Sequence, residues 1–433
     1  MLPRSAVTDE LSQRNVAKCR RRRSLRTVWG AAACTAAVMA VAGTAAAEED
    51  AVPIPPGPCP GLYVLGVPGT TESSSSADPF ADTGMLGRVY GPLAQGVNVQ
   101  HLTIPYPAAF GGAPGTGPGI ETFAQSATNA QNRLNATAGE IATRCPHTKI
   151  GVVGFSQGGG VATEFARQVG AGNGPVDPNR IAGVAALSDW TRPHGAEAFP
   201  GRPGQIVPDP APSTDGAATS RIRLAPVPGS GGIDPDTAGF GQLAGRVGEF
   251  CSPGDLSCDA PDHAEALRTA AELAARSDLR DPIAAVQSLG ASWATTAATT
   301  STHVVLDDIQ IDNTGQVNYR PGQTVSQRLA EAADPRTPVP TTQQAQQASD
   351  KIARAGAAIA ADPLRQIPAL VAQVGSAVGA NLAANADLLN PVVLARYAGV
   401  VGTHTGYGTD GAAQQAGNWF AAISHDITPG AHR

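Results

Sequence analysis

The chain has 433 residues and a formal net charge of −6; it is 42% hydrophobic but only 4% aromatic and 15% charged. With no basic patch beyond its N-terminal segment, it is poorly suited to nucleic acid, whose phosphates demand clustered Lys and Arg. Past that segment no apolar run is long enough to cross a bilayer, and the length allows a full core of Ala, Val, Leu and Ile, with room for two domains.

Residues 18–47 carry a targeting pattern. Lys18, Arg20 to Arg23 and Arg26 form a basic region, an apolar run follows from about Val28 to Val41, and Ala45-Ala46-Ala47 precedes Glu48. This is the layout of a secretory signal peptide over residues 1–47. Cys19 and Cys34 fall inside it, which leaves Cys59, Cys145, Cys251 and Cys258. An even set in an exported chain implies disulfides. Of the three pairings, the short spacing favours Cys251 with Cys258, and so Cys59 with Cys145. The absence of a Cys-x-x-Cys pair and of clustered histidines argues against zinc.

Gly61–Val67 reads as a first buried strand, Pro68–Glu72 as the turn after it, and Val97–Ile104 as a second strand ending in Pro105-Tyr106-Pro107-Ala108. Phe123, Ala127, Ala130, Leu134, Ala138 and Ile141 recur at helical spacing and predict a helix over Glu121–Ala142. Further strands are expected at Lys149–Phe155 and Ile181–Leu187. Strands alternating with helices predict an α/β fold with a doubly wound parallel sheet, whose reactive groups gather at the strands' carboxyl ends. Residues 199–239 are rich in Pro, Gly and Asp and predict an irregular excursion. From Asp259 to about Val400 the texture becomes Ala-rich and helical (His263–Arg276, Thr342–Ala361, Leu364–Ala384) around a β-like piece, Val304–Ile311. A final helix is expected over Ala412–Ser424.

Gly154-Phe155-Ser156-Gln157-Gly158 lies between the third strand and a helix, the context of the nucleophile elbow of α/β hydrolases. A serine there projects above the sheet, and the N–H of Gln157 points toward a developing oxyanion. A serine hydroxyl needs a base to take its proton, and the base needs a carboxylate to hold its tautomer. Asp255, between the paired cysteines, is the expected acid, with Asp189 as its rival. His404 is the expected base, with His263 as its rival. Ser156, Asp255 and His404 follow the chain order of α/β hydrolases.

Several motifs in order resemble the cutinase family of secreted serine esterases. They are Cys59 before the first strand, Gly69-Thr70-Thr71-Glu72 after it, Tyr106-Pro107-Ala108, Cys145-Pro146, the elbow with Gln157, Gly254-Asp255 between Cys251 and Cys258, and His404 followed by Tyr407-Gly408. The resemblance covers about residues 59–258 and 400–425. It implies a cutinase-like α/β-hydrolase core, an oxyanion hole completed by the N–H of Thr70, and ester hydrolysis with no metal or organic cofactor. The expected organisation is core over 48–258, a mostly helical insertion over 259–400 that is read either as a cap over the site or as a decoration packed on the core, and core again over 401–433. Two features depart from the family: the 149 positions between Asp255 and His404, and Pro68 where Arg is common. The expected substrate is a lipid or polyester ester, a cell-envelope lipid ester among them, and the expected state is a monomer outside the cell, associated with the envelope. The alternatives are a non-catalytic lipid- or glycan-binding protein and an acyltransferase on the same fold.

Overall fold

The computed structural model describes residues 51–428, so the expected signal peptide lies outside the described residues. Five parallel strands form the main sheet: β1 (Leu62–Val67), β2 (Val99–Thr103), β3 (Lys149–Phe155), β4 (Ile181–Leu187) and β5 (Val247–Phe250), in the order β2-β1-β3-β4-β5. The helices of this core are α1 (Gly84–Leu93), α2 (Phe123–Arg144), α3 (Gln157–Gly170) and, at the C-terminus, the expected final helix over Ala412–Ile427.

The central strands are continuous apolar runs because both faces are covered. Alternation along β1 sends Tyr63, Leu65 and Val67 to one side, against Leu134, Ile141, Phe165 and Val169 of α2 and α3. Leu62 and Val64 go to the other side, against Leu86 and Val89 of α1 and Trp419 and Phe420 of the C-terminal helix. The chain runs outward from β1 to β2 and then returns past β1 to place β3. Strand order therefore reverses between β1 and β3, and the loops after these two strands diverge above a crevice at the sheet's carboxyl end. This is the α/β-hydrolase arrangement.

Beyond β5 the chain is mostly helical. It forms α4 (Glu265–Ala275), α5 (Pro282–His303), an antiparallel hairpin of β6 (Ile309–Ile311) and β7 (Val317–Tyr319), α6 (Val325–Ala333), α7 (Thr342–Ala361), α8 (Pro363–Ala383), α9 (Pro391–Arg396) and α10 (Val400–His404). The C-terminal helix is then α11. Thr324 with Gln327 and Thr341 with Gln344 form reciprocal capping boxes that start α6 and α7. The β-like reading of Val304–Ile311 is corrected: Val304–Asp308 is a π-helical turn that continues α5, and only Ile309–Ile311 is strand. The β-branched residues there follow a helix without a breaker, so the helix carries through them.

Candidate active site

The elbow is a strained turn. Ser156 sits between β3 and α3 with φ 54° and ψ −117°, a conformation that costs free energy for a residue with a side chain. Its N–H donates to the Leu187 carbonyl of β4 at 2.9 Å, which fixes the turn to the sheet. A Cβ on Gly154 would strike the Gly158 carbonyl, so the crossing of strand and helix requires glycine. The Gln157 N–H is the first of α3 and has no intrahelical acceptor. Its side chain is turned away, donating to the carbonyls of Ala109 and Phe123 at 3.2 Å each and accepting from the Ser126 hydroxyl.

Three expected residues come together. Ser156 Oγ lies 2.9 Å from His404 Nε2, and His404 Nδ1 lies 2.8 Å from Asp255 Oδ1. Asp255 is fully buried. Burial alone would push its carboxyl up, but hydrogen bonds from His404, Ser188 and Tyr407 and the adjacent imidazole outweigh burial and hold it below the usual carboxylate range. The Tyr407 hydroxyl donates to Asp255 Oδ2 at 2.7 Å and accepts from the Ser252 N–H at 3.0 Å. Burial and the neighbouring Asp255 charge push that phenol well above its ordinary value, so it remains a donor. Ser188 Oγ also lies 3.1 Å from His404 Nδ1.

The loop carrying Asp255 is closed by the Cys251–Cys258 bridge, and Cys59–Cys145 forms the second disulfide. The rival residues lie elsewhere. Asp189 is buried and accepts from the N–H and hydroxyl of Thr191. His263 is exposed, and its N–H donates to Asp387.

Thr70 stands across from the elbow. The loop passes so close that a Cβ on Gly69 would collide with the Phe155 ring and press on Ser156 Cβ. Glu72 braces this loop from within, accepting from Gly69 N at 3.3 Å and Met85 N at 2.9 Å. The Tyr106 hydroxyl donates to the Pro68 carbonyl at 2.6 Å. The loop is thus held by Glu72 and Tyr106, which need no arginine at position 68.

A cavity of about 720 Å³ opens over Ser156, with His404, Thr70 and Gln157 in its lining. Phe110, Phe123 and Trp190 form one wall, packed edge to face at 5.5 Å between successive rings. Ala271 and Ala275 of α4 contribute another, with Pro335 and Arg336 beyond α6. At that wall Arg336 bonds Asp234 and Asp334, the latter at 2.9 Å, and faces Asp236. Glu272 of α4 completes the cluster. Burial raises the Asp234 carboxyl to about 6, against the pull of Arg336, and raises Glu272 well above its usual range.

Sequence reasoning missed Ser188, Trp190 and Arg336. Tyr407 entered it only as part of a motif, and its hydroxyl bond to Asp255 depends on the fold of the loop that Cys251 and Cys258 close.

Parts of the chain are similar to known proteins. A family model described as cutinase matches residues 58–271. The chain is 29% identical over 229 residues to a carboxylesterase Culp6 homolog from Corynebacterium glutamicum, covering 49% of this chain and 70% of that one. It is 34% identical over 152 residues to cutinase CUT1 from Coprinopsis cinerea, covering 33% of this chain and 62% of that one. Among solved structures, the catalytic core of an acetyl xylan esterase from Trichoderma reesei superposes with a TM-score of 0.33 at 18% identity, over 54% of this chain and 99% of that one. With its elbow, its sheet order and this match, residues 58–271 form a cutinase-family domain, and the chain is an ester hydrolase.

Proposed function

We propose that the enzyme is a serine esterase in which Ser156 is the nucleophile, His404 the general base and acid, and Asp255 the carboxylate that orients His404. The observation that carries this reading is the chain of contacts Ser156–His404–Asp255, at 2.9 and 2.8 Å, beneath a largely apolar cavity. His404 takes the Ser156 proton as Oγ attacks the ester carbonyl. The N–H groups of Gln157 and Thr70 receive the oxyanion of the tetrahedral intermediate. His404 then hands the proton to the departing alcohol, and water repeats the sequence on the acyl-enzyme. Asp255 stays ionised throughout, because its hydrogen bonds favour the charged form.

The aromatic and alanine walls favour an apolar acyl group, so the substrate class is a lipid or polyester ester, with a cell-envelope lipid ester as the natural form. Residues 259–400 act as a cap over the site, a role supported by Ala271 and Ala275 in the cavity wall. The two disulfides fit an oxidising compartment outside the cytosol, and no helix among the described residues is long and apolar enough to cross a membrane. The test is hydrolysis of p-nitrophenyl esters of increasing acyl length by the enzyme and its Ser156→Ala variant. The expected result is a loss of kcat by about 10⁴-fold or more with a preference for medium or long chains. Equal activity in the two proteins would remove Ser156 from the chemistry.

A further inference from the structure

The proposed base stands on a stretch of chain that no core holds. From 367 to 406 no residue is buried, and Tyr407 is the first that is. Apolar burial is what ordinarily fixes an element in place. For α9 and α10, which bury nothing, the position must come from polar ties. Among the described residues, and besides the contacts of His404, only two hydrogen bonds of residues 391–404 reach beyond 390–405. The Arg396 guanidinium, at the end of α9, donates to Asp259 Oδ2. The hydroxyl of Tyr397, the next residue, donates to the Asp259 carbonyl at 2.8 Å.

Asp259 is fully buried and holds the loop of Asp255 at two points. Its Oδ2 accepts from the Gly254 N–H at 2.7 Å, and its own N–H donates to the Asp255 carbonyl at 2.7 Å. The Ser230 hydroxyl donates to Oδ1. The end of α9 also comes close to this loop. Gly254 adopts φ 85°, which favours glycine, and a Cβ there would sit 3.0 Å from the Arg396 carbonyl oxygen. A single carboxylate oxygen thus joins the backbone beside Asp255 to the stretch that ends in His404.

We infer that Asp259 and Arg396 are positioning residues, whose ion pair registers the stretch carrying His404 against the loop carrying Asp255. The inference rests on the reading of Ser156, His404 and Asp255 as the catalytic set. The two halves of that set are far apart in the sequence, and the Asp255 loop is closed by its own disulfide, which does not reach α9 or α10. The Asp259–Arg396 pair supplies that link. It is charge-assisted, and its carboxylate is already bonded by Ser230 and Gly254 before the guanidinium arrives. Asp259, Arg396 and Tyr397 do not line the cavity over Ser156, so they act on the chemistry through His404 and not on substrate binding.

The test is a double-mutant cycle on p-nitrophenyl acetate hydrolysis, made from Arg396→Ala, His404→Ala and their combination. Arg396→Ala removes a side chain that is 44% exposed and leaves Asp259 its bonds from Ser230 and Gly254, and the thermal midpoint serves as the folding control. The expected result is a kcat lower by about tenfold in Arg396→Ala with KM little changed. Arg396→Lys, which still offers a cation to Oδ2, should recover most of that loss. In the His404→Ala protein, where the base is already gone, Arg396→Ala should cost nothing further. Parent-like kcat in Arg396→Ala overturns the proposal, as does an equal loss in the His404→Ala background. So does a loss that follows a falling thermal midpoint and is not restored by lysine. Parent-like activity in Ser156→Ala or His404→Ala removes the catalytic set itself and this proposal with it. Inactive Ser156→Ala and His404→Ala beside a fully active Arg396→Ala sink the positioning role alone.

Discussion

At the scale of single residues, the proposed acid, Asp255, is held by a phenol. Tyr407 donates to the Asp255 oxygen that does not face His404, and it also accepts from the Ser252 N–H. Removing the hydroxyl takes away one of the bonds that hold the Asp255 carboxyl below its usual range, so in Tyr407→Phe that group titrates at higher pH. A lowered carboxylate pKa supports activity and stability above the titration, and both are lost as pH falls through the folded value. The acid limb of kcat therefore moves to higher pH in Tyr407→Phe. A hydrogen bond to a charged group contributes about 1.5–3 kcal/mol, so kcat at neutral pH should fall by about 10- to 100-fold with KM little changed. A pH–rate profile measures both. An unshifted acid limb would show that Tyr407 only fills space. Ser188, which approaches the same imidazole nitrogen, carries a positive φ of 60° and marks a second strained serine beside the first.

At the scale of elements, the disulfide around Asp255 gives a prediction that separates site from stability. Cys251 and Cys258 are seven positions apart, and cross-linking so short a loop stabilises by only about 2–3 kcal/mol in the chain-entropy model. Yet the loop carries Asp255, whose carboxylate lies 2.8 Å from His404 Nδ1 and is the proposed acid of the site. Cys251→Ala/Cys258→Ala is expected to lower the unfolding free energy by about that amount while reducing kcat more than tenfold, read by denaturant unfolding and ester hydrolysis side by side. Full activity with only the stability loss would make the bridge a staple remote from the chemistry. The elements themselves were unevenly readable in the sequence. Strands β1, β3 and β4 are apolar runs bounded by turns, and α2 has a full helical stripe. The four-residue β5, whose Glu249 is buried, carries too little pattern to stand out. Helix α5 lacks a one-sided stripe, with Thr and Ala on every side and only Thr296, Thr299 and Thr300 buried, so tertiary packing and the Asp281 cap decide it. The triad candidates were legible because their roles demand particular residue types in a known order. Trp190 and Arg336 were not, since any cavity wall can be built from many residues, and only the fold says which ones face inward.

At the scale of the whole molecule, the joint between the strand-rich core and the helical segment is a titrating cluster. Asp234 and Asp236 come from the long excursion after β4, Glu272 from α4, and Asp334 and Arg336 from the turn after α6. One guanidinium faces four carboxyl groups there, and burial raises Asp234 to about 6 and pushes Glu272 well above its usual range. The sign of the consequence follows from linkage. Unfolded Asp ionises near 4, whereas folded Asp234 keeps its proton until about pH 6. Between those values the unfolded state binds fewer protons than the folded one, so the contribution of Asp234 to stability declines as pH rises through that window and levels off above it. Asp234→Asn cannot ionise and does not share the decline, although it loses the charge opposite Arg336. Its thermal midpoint relative to the parent should therefore rise from pH 4 to pH 7, as measured by calorimetry at fixed ionic strength. Because the cluster lines the cavity, loosening at neutral pH concerns the wall formed by α4 and Arg336 more than the Ser156–His404–Asp255 chain. Hydrolysis of long acyl esters should then respond to Asp234→Asn more than hydrolysis of acetyl esters. A midpoint difference that stays constant across the pH range would place the titration elsewhere and leave this joint held by Arg336 alone.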